Sequence, residues 1–272
     1  MPLFLPLLWL ARMRTKCKIV LTVHEEFDNV PLRWFVVKYH NLWYKIADRL
    51  IAHSPIQKKN LPVSLQEKTS VQPHGVIYRD LPTRAPKKNV VLLPGFINEW
   101  KGHDVALYAI EEVKRMLPDV KLLVVGKAHD KKYTERLHGI IKSLHIESNV
   151  EWDSGYVPEE KFLEYYKTST IAVMPYRRIT MSGILAHILS WRVPTIMSDL
   201  PVFEWFTKHK ALYFRNGDAH HLAEKIIMLL KDKSRQEKMS NDFGVLAKEY
   251  SWEEEALNTL AVYHELVPEG SP

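Results

Sequence analysis

The sequence predicts an α/β fold of parallel sheets in two portions, the second complete and the first partial. Short apolar bursts alternate with helix-spaced segments along nearly the whole chain, which is the signature of strand–helix–strand units. The alternation lapses once, over residues 77–88, where Pro82, Pro86 and several charges leave no periodic pattern, and then restarts. A length of 272 residues also exceeds what one ordinary core needs and suits one full α/β domain plus a further piece.

In the first portion, residues 18–23 (KIVLTV) read as a buried strand. Residues 32–50 carry helical spacing with aromatics at Trp34, Tyr39, Trp43 and Tyr44. Residues 50–52 form a short strand ending at His53-Ser54, a short helix follows from Pro55, and residues 69–72 make another strand. In the second portion, strands at 90–93, 121–125, 150–152, 171–174, 195–197 and 211–213 are expected. Helices at 101–116, 131–144, 158–167, 182–191 and 219–231 lie between and after them. Six strands separated by helices suffice for a doubly wound, Rossmann-like domain. Residues 236–250 and 251–266 read as two terminal helices. The expected division is 1–84 as the partial domain, 85–250 as the complete one, and 251–272 as a helix packing back toward the first.

Apolar residues make up 46% of the chain and charged ones 26%, a globular balance rather than a disordered or fibrous one. The single cysteine, Cys17, excludes an intramolecular disulfide and any multi-cysteine metal site, in keeping with a reducing compartment. The net charge of +6 comes from dispersed residues and pairs such as Lys87-Lys88, Lys131-Lys132 and Arg177-Arg178, so no nucleic-acid partner is expected. A solvated surface is the plain reading of that charge. Attraction to nucleoside diphosphates or to an anionic membrane face is the alternative. Residues 1–11 are apolar and are followed by Arg12, Arg14 and Lys16. The run is shorter than the roughly 20 residues that span a bilayer, and its charge order is the reverse of a secretory signal. A buried helix leading into a strand is expected there, with contact at a membrane surface as the alternative.

Neither GxGxxG nor GxxxxGK[ST] is present, so the loops after the strands are where chemistry is to be sought. The first is Pro94-Gly95 through Lys101-Gly102, a glycine for close approach and a lysine entering a helix. The second, Val125-Gly126-Lys127, repeats the pattern. The third, Pro175-Tyr176 through Thr180, Ser182 and Gly183, offers hydroxyls and backbone N–H groups to a diphosphate, although Ser182 also suits a helix N-cap. The fourth, residues 198–204, carries Asp199 and Glu204.

From residue 89 to 266 the order of these features resembles family-4 glycosyltransferases of the GT-B fold. The resemblance rests on Gly95…Lys101-Gly102, Leu117-Pro118…Gly126, Gly155-Tyr156-Val157-Pro158-Glu159-Glu160, Met174-Pro175-Tyr176 and Ser182-Gly183. It continues through Pro194…Ser198-Asp199…Pro201…Phe203, Gly217-Asp218 and Tyr250-Ser251-Trp252-Glu253. The earlier part is similar to the end of the family's acceptor-side domain, at Thr22-Val23-His24-Glu25, at residues 47–54 and at Pro73-His74-Gly75-Val76.

The resemblance implies a GT-B protein with a complete nucleotide-sugar-binding domain. The implied reaction is transfer of a sugar from a UDP- or GDP-sugar to an acceptor hydroxyl, with retention and without a metal or other cofactor. Catalytic roles fall to His24 and Lys101, and donor binding to Gly95, Lys101, Gly126, Lys127, Tyr176, Thr180, Ser182, Gly183 and Glu204. The implied partners are a nucleotide sugar and a glycan or lipid-linked acceptor, in the cytoplasm or at a membrane surface. Departures are Phe96 where an arginine is common, and Ile179 and His187 where two glutamates are usual. These keep open a catalytically inactive donor-domain fragment or partner subunit that binds a nucleotide, or another chain, and more weakly a sugar-phosphate epimerase.

Overall fold

The computed structural model describes residues 4–24, 42–80, 84–128, 130–155 and 157–267. The chain divides into two compact units, residues 1–74 with 252–272, and residues 75–251. The expected boundary was 84/85. It falls earlier because Val76 donates its N–H to Tyr250 O (2.7 Å), while Ala85 and Lys87 donate theirs to Lys167 O (3.0 Å) and Thr168 O (2.7 Å). Arg84 reinforces this, its guanidinium donating to Ser169 O at 2.6 Å and to Arg192 O at 3.3 Å.

The first unit holds α1 (Phe4–Thr15) and three strands, β1 (Val20–Val23), β2 (Arg49–Ala52) and β3 (Thr69–Val71). They pair in parallel in the order β1-β2-β3, with Leu21 opposite Leu50 and Leu50 opposite Thr69. Two short helices, α2 (Pro55–Asn60) and α3 (Val63–Gln66), connect β2 to β3. Among the described residues its buried cluster comprises Ile19, Ala47, Leu50 and Leu65. Asp48 supports it by pairing with Arg12 at 3.0 Å and accepting from Ile19 N at 2.9 Å. Most of the helical pattern expected over 32–50 lies outside the described residues. The apolar start does form a helix, but it is not buried as expected: Trp9, Leu10 and Met13 are about half exposed or more. Its last turn packs through Arg12, which pairs with Asp48, so Trp9, Leu10 and Met13 are left toward solvent. No described helix is long and apolar enough to cross a membrane.

The second unit is a six-stranded parallel sheet: β4 (Val90–Pro94), β5 (Lys121–Val125), β6 (Val150–Asp153), β7 (Ile171–Met174), β8 (Thr195–Ser198) and β9 (Leu212–Phe214). The spatial order β6-β5-β4-β7-β8-β9 is the doubly wound pattern that the alternation predicted. Central strands β4, β7 and β8 are buried at every residue, as continuous apolar runs covered on both faces should be. The covering helices are α4 (His103–Met116), α5 (Lys131–Ser143), α6 (Glu159–Thr168), α7 (Gly183–Ser190), α8 (Pro201–Phe206), α9 (Ala219–Lys231) and α10 (Lys233–Glu249). Asp130, Asp218 and Asp232 cap α5, α9 and α10 through side-chain acceptance of a backbone N–H. The last helix, α11 (Trp252–Leu266), groups with the first unit, where Glu265 meets Arg49 at 3.4 Å and Thr259 donates to Gln72 Oε1 at 3.1 Å.

Arg84→Ala strands several buried carbonyls at once. It is expected to lower stability by about 1–3 kcal/mol in denaturant unfolding. An unchanged midpoint would mean that residues 84–88 are a loose connector.

Candidate active site

Strand order reverses between β4 and β7, so a crevice opens beyond their carboxyl ends. The loops after β4 and β5 lie in register there: Gly95 N donates to Val125 O at 2.8 Å, and Ile97 N to Lys127 O at 2.9 Å. Gly126 has φ of +144°, and a Cβ on it would run into the Gly95 carbonyl, so the two loops approach this closely only because Gly126 lacks a side chain; a Cβ on Gly95 would instead meet the Lys101 ammonium and Ile184. A cavity of about 560 Å³ sits on this platform. Gly95, Lys101, Gly126, Lys127, Ser182 and Gly183 line its polar side, and Phe96, Val157, Phe162, Met181 and Ile184 its apolar side.

Lys101 is the centre of the site. The sequence placed it at the start of the helix after β4, but it ends a 3₁₀ turn, Glu99–Lys101. Gly102, at φ +68°, then breaks the chain direction before α4 begins at His103. Only 3% of Lys101 is exposed. Its ammonium lies over the Gly95 backbone, 5.0 Å from the Tyr176 ring and 5.3 Å from that of Trp100. Among the described residues no carboxylate pairs with it. Desolvation by burial lowers its pKa to about 7, and the neighbouring His103, itself wholly buried, is pushed down to about 3 by desolvation and then by the Lys101 charge. A cation held without a counter-ion beside a cavity is a site prepared for an anion.

Arg177, which follows Tyr176 in the loop after β7, is already engaged. Arg177 donates to Asp104 Oδ2 at 2.7 Å and to Glu99 O at 2.7 Å. Burial pushes the Asp104 carboxyl up, but the Arg177 hydrogen bond and charge outweigh it and hold the carboxyl below its usual range. Lys127 is exposed at the cavity rim. Ser182 occupies the N-cap position of α7 without capping it, so its hydroxyl is directed elsewhere and faces that of Tyr176. Gly183 is exposed, with open space where a side chain would stand.

Three expected donor contacts do not line this cavity. Tyr176 is fully buried, packed edge-on to Trp100 at 5.3 Å and raised in pKa by desolvation, so it forms a wall behind Lys101. Thr180 lies in the loop ahead of α7, off the cavity lining. Glu204 lies on α8, outside the cavity lining and close enough to Tyr213 for its charge to act on the phenol. His24 lies in the first unit, exposed at the carboxyl end of β1, with its Nδ1 3.2 Å from His53 Nε2. The sequence analysis singles out no residue of the apolar wall: Phe162 and Ile184 stand inside expected helices, where spacing does not tell a core from a cavity lining. It noted position 187 only as an absent acid, yet His187 lines the cavity, its ring stacked 5.9 Å from Tyr166.

The fold has many solved counterparts. Alr3699/HepE of Anabaena, in complex with UDP and glucose, superimposes with a TM-score of 0.80 at 15% identity, over 94% of this chain and 74% of that one. A glycosyltransferase from Rickettsia africae ESF-5 does so at 0.79 and 18% identity, over 96% and 74%. The α/β, GT-B-type fold is thus shared with glycosyltransferases. Among curated proteins, the phosphatidyl-myo-inositol mannosyltransferase of Mycobacterium leprae (strain TN) is 22% identical over 186 residues, 68% of this chain and 48% of its own. The D-inositol 3-phosphate glycosyltransferase of Segniliparus rotundus is 25% identical over 236 residues, 80% and 52% respectively. The chain spans about half the length of these curated relatives. The family model described as glycosyl transferases group 1 matches residues 78–243, more than half of the chain, and it is to this family that the chain belongs.

Proposed function

We propose that the chain transfers a sugar from a nucleoside-diphosphate sugar to an acceptor hydroxyl, with retention of anomeric configuration. The observation that carries this is the buried, unpaired Lys101 ammonium at the switch-point cavity. The leaving group is a diphosphate, so stabilising its developing negative charge is the central catalytic task. Lys101 does this, assisted by the backbone N–H groups at Ser182 and Gly183, where the helix end favours anions. Lys127 adds a second cation at the rim, and no resident metal or other cofactor is invoked. Gly95 and Gly126 let the phosphates reach the backbone. His24 takes the part that the family resemblance assigns to it, contact with the transferred sugar. UDP-sugars are the first donors to test, because Alr3699/HepE is solved with UDP and glucose.

The acceptor proposed is a glycan or lipid-linked sugar. The names of the curated relatives support this, as do exposed Trp9, Leu10 and Met13 beside Arg14 and Lys16, which suit peripheral contact with a membrane from the cytoplasmic side. A second reading, nucleotide binding without turnover, is favoured by His187 in the cavity and by Glu204 outside it. Radiolabelled transfer from a panel of nucleotide sugars, run beside calorimetric binding of the free nucleotides, separates the two. Binding with neither transfer nor hydrolysis would establish the second.

Lys101→Met should lower kcat by roughly 100-fold or more. The same variant should be more stable than the unaltered protein by about 2–4 kcal/mol at pH 7, since it removes a buried charge. The unfolded chain holds the Lys101 proton to about pH 10.4 and the folded chain to about 7, so the burial penalty is full below pH 7 and fades as the pH climbs toward 10. The stability gap between variant and parent should therefore close with rising pH in urea titrations. UDP favours the charged lysine, so its affinity should hold below about pH 7 and fall above it; a flat profile to pH 9 would remove Lys101 from the phosphate site.

A further inference from the structure

Three histidines stand just past the carboxyl ends of three adjacent parallel strands, in strand order. His24 follows β1, His53 follows β2 and His74 lies three residues beyond β3. Their rings form a row, His24 to His53 at 4.8 Å and His53 to His74 at 5.7 Å, ending on the edge of Trp252, 5.5 Å from His74. The middle ring is the most constrained. His53 N donates to Gln57 Oε1 at 2.7 Å, and the ring then bridges two partners, Gln72 O from Nδ1 and His24 Nδ1 from Nε2, both at 3.2 Å.

The donor and acceptor inventory decides where the protons are. A backbone carbonyl only accepts, so the Nδ1 of His53 carries a hydrogen and donates it to Gln72 O. Burial and the flanking histidines disfavour the charged ring, which leaves Nε2 of a neutral His53 as a lone pair. The nitrogen facing that lone pair, His24 Nδ1, must be the donor, and in neutral His24 the lone pair then sits on Nε2. We infer that His53 is a positioning residue, which fixes His24 in its Nδ1–H form and so presents Nε2 as acceptor to a sugar or acceptor-substrate hydroxyl. The assignment of that hydroxyl rests on the function proposed above; the proton assignment does not. A second ring orienting the first is the arrangement by which outer partners set ligand histidines elsewhere.

The test is long-range ¹H–¹⁵N correlation on the full-length chain labelled at histidine, with the His24 signals identified by their loss in His24→Gln. The expected spectrum shows His24 protonated at Nδ1. His53→Phe removes the acceptor and should release His24 toward the Nε2–H form, lowering kcat by roughly 10- to 100-fold while the KM for donor and the affinity for UDP stay unchanged. His53→Gln keeps both roles, amide N–H to Gln72 O and Oε1 to His24, and should restore most of the rate. Unchanged backbone amide signals from β1, β2 and α11 in each variant certify the fold of the first unit, and unchanged UDP binding that of the second. An Nε2–H signal from His24 in the unaltered chain would overturn the inference. So would an unchanged His24 signal in His53→Phe, or a shifted one with no loss of rate. Failure of the unaltered chain to transfer from any donor would count against the proposed function, and the spectra alone would then decide the role of His53.

Discussion

Burial of the Lys101 ammonium without a carboxylate partner is the constraint around which the second unit is arranged. A partner would neutralise the charge and make the lysine comfortable, but it would also compete with any anion. The structure instead surrounds the ammonium with things that tolerate it weakly: two aromatic faces and the bare backbone of Gly95. The glycines follow from this. Gly95 must be small to leave room for the ammonium, Gly126 to let its loop close on Gly95, and Gly102 to turn the chain between the 3₁₀ segment and α4. The burial is tolerable because the surrounding sheet has a continuous core on both faces, with wholly buried β4, β7 and β8 offsetting a local loss.

Much of this is legible in the amino-acid order. Parallel central strands announce themselves as unbroken apolar runs, and VVLLP, IAVM and TIMS are such runs. Aspartates 130, 218 and 232 mark helix starts because a carboxylate can take up an orphan N–H. Strand order is also readable, since consecutive strand–helix units wind with one hand and reverse once. Glycine after a strand is common and says little alone, so Gly95 and Lys101 become visible only through the joint spacing of the loops around them.

Other parts of the site are hidden for identifiable reasons. Helix periodicity separates inward from outward faces but does not distinguish a core from a cavity wall, so nothing in the spacing marks Phe162 and Ile184 as lining. Tyr176 carries a polar atom next to a binding loop and invites a ligand role, yet its ring is used as support behind the lysine. Glu204 follows a binding-type loop in sequence, yet it stands on α8 outside the lining of the cavity. Spacing along the chain carries no information about which side of a short helix a residue will face when the flanking loop is irregular. For the same reason the row of histidines was invisible as a row: 24, 53 and 74 become neighbours only through strand pairing.

The first unit is discontinuous, and this has a kinetic consequence. Its described strands precede residue 75, but α11, whose Glu265 and Thr259 reach Arg49 and Gln72, follows the whole second unit in the chain. Arg49 and Gln72 therefore wait for these partners until residues 252–266 have been made. On the ribosome the second unit can therefore close its sheet while the first waits, part-formed, for a helix some two hundred residues downstream. Such closure over a long intervening segment is slow, so the contacts of β2 and of Gln72 with α11 form late, after the second unit has its sheet.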